Sequence, residues 1–390
     1  MPSVDLRSHG EKRNIVVIGG SYAGTKAVEL IAARMHPTHR TILIEPHSHF
    51  HHLYALPRYA VVHGFEHHAF IPYFAMFKSL PPDATEVVQA RVTTIHLGFV
   101  ELDCGEPIPY EYLIIATGTR LVSPGTLDVK GKAEGVAFLQ QHQRRVERAN
   151  KIVVAGGGAV GIQLATDIKD YYPTKSVTLV HSRSRLMHKF HPKLHELISA
   201  RAEELGIQVV LNKRVLIPAD GFPDDGSEFD VELSTDLCLR ADMVICASGQ
   251  TPLSAPLQTL APGCITPTGF ISVKPTLQLA DQTYPNVFAI GDVADTQDQK
   301  AAKRGVQHAH VVAQNIACLA VEGLDAVLSE YSHVPWMIRM SLGMTRELHF
   351  SDPVIDSDEP LWRLSDEGYI GSSSLKVWSS KAPGIKNYFL

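Results

Sequence analysis

Cysteine is sparse in this 390-residue chain: there are five, at positions 104, 238, 246, 264 and 318, and no two stand as Cys-x-x-Cys. That spacing offers no dithiol for disulfide exchange. An odd, dispersed set reads instead as reduced core thiols of a cytosolic, or cytoplasmic, protein, each a small buried hydrophobe. Long apolar runs are missing too. No window approaches eighteen apolar residues, so no membrane-crossing helix is expected. The opening stretch MPSVDLRSHGEKRN lacks the apolar core of a signal peptide, and a proline at position 2 excludes N-myristoylation. Positive charge is not in excess either. The net charge of −5 argues against a nucleic-acid partner, which would usually demand a basic surface.

What is present is an ordinary globular balance, 45% hydrophobic and 20% charged, in a chain long enough for two or three domains. Its organisation is a repeat. NIVVIGG reads as a buried parallel strand, TKAVELIAARM as a helix with an apolar stripe, and RTILIE as the next strand. KIVVAGGG, AVGIQLATDIKDYY and SVTLVHS repeat the pattern later. Each copy carries a glycine loop between strand and helix: Gly19, Gly20, Ser21, Ala23 and Gly24 in the first, Gly156, Gly158 and Gly161 in the second. Small residues there let the backbone approach a pyrophosphate, and the helix N-terminus faces the phosphates. Glu45 stands twenty-one residues after Gly24, and Ser182 twenty-one after Gly161. One such loop is weak; two in the same register, each flanked by strand and helix, are specific. Ser21 departs from the pattern, occupying the middle-glycine position. A serine fits there if its backbone angles are ordinary.

Between and after the copies come YEYLIIATGTR, ADMVICASGQTP and NVFAIGDVAD, then the helical pattern QKAAKRGVQHAHVVAQNIACLA. Taken in order, IVVIGGSYAG, LIIATGTR, IVVAGGGAVG and NVFAIGDVAD make the chain resemble the two-dinucleotide flavoprotein reductases of the pyridine nucleotide-disulfide oxidoreductase superfamily. The resemblance covers about 14 to 320. Within the superfamily, FHHLYALPR and VTLVHSRSRL resemble the branch of apoptosis-inducing factor, ferroptosis suppressor protein and type II NADH dehydrogenases. That branch lacks the redox dithiol, as this chain does.

The resemblance implies an α/β fold of two Rossmann-like dinucleotide-binding domains plus a small α+β C-terminal segment. The expected segments are 1–120 and 251–324 for FAD, 121–250 for NAD(P)H, and 325–390 for the C-terminal piece. It implies FAD on the first loop, with Glu45 on the adenosine ribose, Ala116, Thr117 and Gly118 at the crossover, and Gly291 and Asp292 at the ribityl chain. The helix after Asp292 would then favour a reduced flavin, and Lys300 and Gly249 join the same cofactor set. The second loop then takes a nicotinamide dinucleotide. No carboxylate stands at Ser182, whereas Arg183 and Arg185 stand beside it and suit a 2′-phosphate, so NADPH is expected first and NADH tolerated. Read alone, these arginines are also an ordinary solvated turn.

Gln163 occupies a position where the family usually has glutamate near the nicotinamide. Either the amide still docks the ring, or pyridine-nucleotide use has weakened; both readings stay open here. His47, His49, His51 and His52 crowd one segment. No acidic or cysteine partners cluster around them for a metal, and in the resembling proteins His51 and His52 lie near the isoalloxazine, where a histidine can serve proton transfer. Core packing is the plainer reading, and His308 and His310 on the later helix read as helix-surface or core histidines. The implied function is an FAD-dependent NAD(P)H oxidoreductase passing electrons to a quinone-like or other small organic acceptor. A biosynthetic FAD-dependent oxidase using oxygen is the alternative, and a flavin-bound interaction protein that binds nucleic acid is disfavoured by the acidic balance. Phe50, Leu53, Tyr54, Leu56 and Tyr59, with Arg58 and the tail residues Trp336, Met337, Ile338, Met340, Trp362 and Trp378, are candidate walls for such an acceptor or for peripheral membrane contact. Monomer and homodimer are equally compatible with these residues.

Overall fold

The computed structural model describes residues 12–234, 237–355, 358–366 and 372–390. Residues 1–11, most of the stretch read above for a leader, lie outside that set. The chain divides into two compact units, one of Met1–Phe50, Pro72–Arg120 and Thr251–His333, the other of His51–Ile71, Leu121–Gln250 and Val334–Leu390. The expected segments cut the chain differently in two respects, at residues 51–71 and at the C-terminal piece, whose residues 325–333 go with the first unit. Residues 51–71 and the C-terminal segment from 334 belong by contact to the unit of the second glycine loop.

The first unit is built on a five-stranded parallel sheet in the order Val287–Ala289, Tyr112–Ile115, Arg13–Ile18, His39–Ile44, Thr85–Val88. Its central strands are apolar runs because both faces are covered: Ile15, Val16, Val17, Leu43 and Ile44 are fully buried. The helix Tyr22–Met35 buries Ala27, Val28, Ile31 and Met35, a single stripe. It packs against the helix Ala302–Glu322 through small residues, and a Cβ at Gly305 would stand 2.8 Å from the Cβ of Ala23.

The second unit repeats the design with a four-stranded parallel sheet, Gln208–Val210, Ser176–Val180, Lys151–Ala155, Met243–Cys246. In both units the glycine-loop strand lies between the strand that follows its helix and a crossover strand. The expected α/β architecture of two Rossmann-like halves is therefore the observed one. The C-terminal segment is α+β as expected: an antiparallel sheet of Met337–Ser341, Glu347–Ser351 and Leu361–Ser365, then the helix Ser372–Lys381.

That antiparallel sheet is fastened to the second-loop helix, Ala159–Tyr171. Met340, Leu342, Met344, Leu348 and Phe350 share a core with Ile162, Leu164, Ala165 and Ile168. Polar ties supplement the core. Asp167 is fully buried and receives both Nε and Nη2 of Arg58, at 3.0 and 2.8 Å, while Nη2 also donates to the Gly343 carbonyl at 2.7 Å. Arg58 is thus a structural cation and not the polar end of an acceptor pocket. Phe50, Leu56 and Tyr59 are likewise core residues. Of the tail, Trp378 and Met340 are buried, Trp336 meets Phe190 edge-on at 5.5 Å, and Trp362 is exposed. The plain packing reading holds for most of these side chains. The cysteines differ from expectation: Cys264 is buried, but Cys104 and Cys238 are exposed, each at or beside a turn. Among the described residues no helix is long and apolar enough to cross a membrane.

Three histidines are buried as neutral rings. Burial pushes His52, His142 and His308 down from 6.5 to about 4. His142 Nδ1 donates to the Ala60 carbonyl at 2.8 Å, which fixes its tautomer. As pH falls below about 6.5 the unfolded chain takes up protons that the folded chain refuses until about 4. Stability is therefore complete above that window and is lost through it, by up to about 3 kcal/mol per histidine. Thermal midpoints measured from pH 7.5 down to 4.5 (buffers chosen as roughly spanning that window) should fall steadily; a flat profile contradicts the neutral, buried assignment.

Candidate dinucleotide sites

Each glycine loop is a contact that admits no side chain. A Cβ on Gly24 would stand 1.8 Å from the Gly19 carbonyl oxygen, and one on Gly161 would stand 1.8 Å from that of Gly156. The helix therefore rests directly on the end of its strand. Gly19 and Gly156 adopt φ of +103° and +138°, and a Cβ on either would meet the carbonyl of the crossover residue, Ala116 or Ala247, at 2.4 Å. Gly118 and Gly249 end the two crossovers with φ of +67° and +80°. Ser21 and Gly158 are the helix N-caps, with φ of −83° and −89°, and neither caps through a side chain. Ser21 is thus in ordinary extended backbone, which answers the question its substitution raised. A Cβ at Gly158 would touch nothing within 4 Å. Both helices thus begin without a side-chain cap, and the second loop offers open space at Gly158 in front of its first-turn N–H groups, a cradle for a phosphate.

The surroundings of the two cradles differ. In the first unit Glu45 is buried at the end of its strand; its carboxylate accepts the Gly20 N–H at 2.5 Å and the His47 N–H at 3.0 Å, and it pairs with the His47 ring. Tyr73 donates to the Gly20 carbonyl at 2.7 Å, and burial raises its phenol well above the usual range. The Thr117 hydroxyl is buried with no hydrogen-bond partner among the described residues. Gly291 has φ of +70° and its N–H is received by Nδ1 of His308 at 3.1 Å. His308 therefore props the Gly-Asp turn, a role the sequence did not signal. Burial pushes the Asp292 carboxyl up to about 6, against the opposing charge of Lys300. Lys300 lies over the Phe270 ring at 4.5 Å. The following long helix begins only at Ala302, ten residues after Asp292.

In the second unit the place of Glu45 is taken by His181, not Ser182. His181 directly follows the strand Ser176–Val180, and its Nδ1 receives the Gly157 N–H at 3.1 Å, as Glu45 receives that of Gly20. The second copy reaches this point one residue sooner because its helix has 13 residues where the first has 14. Ser182 and Arg183 are exposed and Arg185 is half-buried. Burial, then His188 and Arg183, hold His181 below its usual range. The strand end thus offers a neutral imidazole among cations and no carboxylate.

Gln163 sits in the fifth position of the second-loop helix and donates from Nε2 to Ser341 Oγ at 3.1 Å. Asp167 and Asp170 follow at the next turns of the same face. In the histidine segment, His51 and His52 are buried, His51 edge-on to Phe70 at 5.1 Å. His52 feels Lys381 of the C-terminal helix in addition to its own burial. Among the described residues no group of His, Cys, Asp and Glu is arranged to hold a metal.

The pyridine nucleotide-disulphide oxidoreductase family matches residues 13–315. Fe-regulated protein 8 of Mycosarcoma maydis is 33% identical over 97% of this chain and 97% of its own. Ferroptosis suppressor protein 1 of Mus musculus is 31% identical over 78% of this chain and 80% of its own. Among solved structures, the sulfide:quinone oxidoreductase of Aquifex aeolicus superposes with a TM-score of 0.76 at 17% identity, covering 97% of this chain and 93% of that one.

The face shared by Gln163, Asp167 and Asp170 generates a stability expectation. Gln163→Glu adds a third carboxylate beside a buried one, so it should cost about 1 kcal/mol and lower the thermal midpoint of the second unit by roughly 2–4 °C, partly restored by salt. An unchanged midpoint means the amide is not there to spare that face a charge.

Proposed function

The chain belongs to the pyridine nucleotide-disulphide oxidoreductase family and is an FAD-dependent NAD(P)H oxidoreductase; from that premise we propose that it prefers NADPH and reduces a flat, quinone-like organic acceptor directly from its flavin. Bound FAD would supply the two-electron chemistry between the nicotinamide and the acceptor. The protein's own residues divide the remaining work. The first cradle, with Glu45 for the ribose and Thr117 with its unsatisfied hydroxyl, suits the FAD nucleotide. The half-buried Asp292 suits the ribityl hydroxyls. The second cradle, open at Gly158, suits the nicotinamide dinucleotide.

The preference for NADPH rests on the strand end at His181. A carboxylate there repels a 2′-phosphate; a neutral imidazole beside Arg183, with Arg185 two residues on, does not. The direct acceptor reading rests on one observation, that none of the five cysteines stands as Cys-x-x-Cys, so no such dithiol is available to relay electrons between flavin and acceptor. His51 and His52 are the proposed proton route. With its ring held to about 4, His52 is neutral at physiological pH and would pass a proton only as a relay, one ring nitrogen releasing it as the other takes one up.

Anaerobic mixing of the yellow protein with NADPH tests the first half-reaction, and short-chain ubiquinone, menadione and ferricyanide test the second. Flavin bleached by NADPH and restored by a quinone is expected. Turnover that never exceeds the oxygen background defeats the quinone reading in favour of an oxidase.

Replacing Arg183 and Arg185 together with alanine should raise the KM for NADPH about ten-fold or more and leave that for NADH nearly unchanged. Equal losses for both would sink the phosphate assignment. His51→Ala and His52→Ala should lower quinone turnover while leaving NADPH-driven flavin reduction within about three-fold; if both half-reactions fall together, these histidines hold the flavin and do not serve the acceptor.

A further inference from the structure

The turn that follows the first C-terminal strand is tied down at four successive residues. Gln163 donates to Ser341 Oγ at 3.1 Å, Arg201 Nε to the Leu342 carbonyl at 3.1 Å, and Arg58 Nη2 to the Gly343 carbonyl at 2.7 Å. The Met344 N–H donates to the Asp170 carboxylate at 2.7 Å. Gly343 has φ of +88°, and a Cβ there would press on the Asp170 carboxylate at 2.5 Å, so the turn fits this helix face in one way. Three of the ties carry a charged partner and come from backbone atoms; they are enough to fix the turn. The fourth is a neutral bond between two half-buried side chains. It adds little to the anchorage, and what it does fix is the orientation of the Gln163 amide.

That orientation has a direction. With Nε2 committed to Ser341, Oε1 is the end of the amide left without a hydrogen bond among the described residues. Gln163 lies one helical turn, roughly 5.4 Å, beyond the first-turn N–H groups that form the cradle. A side chain on the second turn is therefore placed toward the part of a dinucleotide that would lie beyond its pyrophosphate.

We propose that Ser341 is a positioning residue for the nicotinamide half of NAD(P)H: it holds the Gln163 carboxamide with its oxygen presented to the carboxamide N–H of the nicotinamide. The inference rests on the reading that the second loop takes NAD(P)H. It gives the C-terminal sheet a part in cofactor recognition, and it gives the amide at 163 a reason: an acceptor oxygen is delivered without a carboxylate charge next to Asp167.

Calorimetric titration with three probes tests this. NADP⁺ carries the carboxamide N–H, its 3-acetylpyridine analogue keeps the carbonyl but lacks that N–H, and adenosine 2′,5′-bisphosphate lacks the nicotinamide altogether. Ser341→Ala should weaken NADP⁺ about five- to ten-fold and leave both other probes within about two-fold. Ser341→Thr should bind NADP⁺ like the parent, and in a Gln163→Ala background Ser341→Ala should have no further effect. Equal weakening of the bisphosphate would mean a merely structural role, and equal weakening of the acetylpyridine analogue would mean the amide presents its N–H₂ instead; either overturns the proposal. Unchanged NADP⁺ affinity in Ser341→Ala overturns it while leaving the NADPH reading intact. A parent protein that binds neither NADP⁺ nor the bisphosphate overturns both.

Discussion

The contact on which the rest depends is the seating of a glycine on a glycine carbonyl: Gly24 on Gly19 and Gly161 on Gly156, each with room for a hydrogen and not for a methyl. Because no Cβ intervenes, each helix begins at the very end of its strand and its uncapped N–H groups open on the space beyond the sheet. Everything that reads a dinucleotide is arranged from there. The crossover carbonyls of Ala116 and Ala247 close one side of each loop at a distance only glycine tolerates, and the strand-end side chains Glu45 and His181 hold the other by accepting the next N–H. The two units share this frame and differ in what they hang on it. A buried carboxylate stands at the first strand end and an imidazole among cations at the second, so the same frame presents opposite charge at its two strand ends.

A second constraint is electrostatic. The second-loop helix turns Gln163, Asp167 and Asp170 to one face, and that face carries a buried carboxylate satisfied by the two-pronged bond from Arg58. A buried ion pair of this kind is costly to break, because removing either member strands the other in a medium that solvates it poorly. It secures the turn at Gly343, and through it the antiparallel sheet, to the helix whose N-terminus holds the cradle. The neutral residue at 163 is consistent with this crowding, and the family's usual glutamate would stand beside two carboxylates.

Much of this was legible in the chain itself. Apolar runs ending in glycine, followed by helical stripes, are strands buried on both faces, and the spacing Gly156, Gly158, Gly161 reports a steric requirement that acts within a dozen residues. Fold class, the duplication, the two cradles and the place of Glu45 are local properties of that kind. Counting residues failed at the second strand end: a helix one residue shorter moved the equivalent place from Ser182 to His181, and only the paired contacts of Gly20 and Gly157 reveal it.

What tertiary structure alone decided are the pairings between distant positions. Arg58 looked like a polar end of an acceptor pocket until Asp167, more than a hundred residues on, claimed it. His308 is a core residue, as one of its readings had it, but only the fold shows that Gly291 donates to it, and Gln163 had no known partner until Ser341 arrived from the C-terminal sheet. Sequence determined the elements and the glycine seats because backbone sterics and hydrophobic period act over a few residues. It did not determine those partners, because a hydrogen bond between side chains depends on where two elements far apart in the chain are brought to lie.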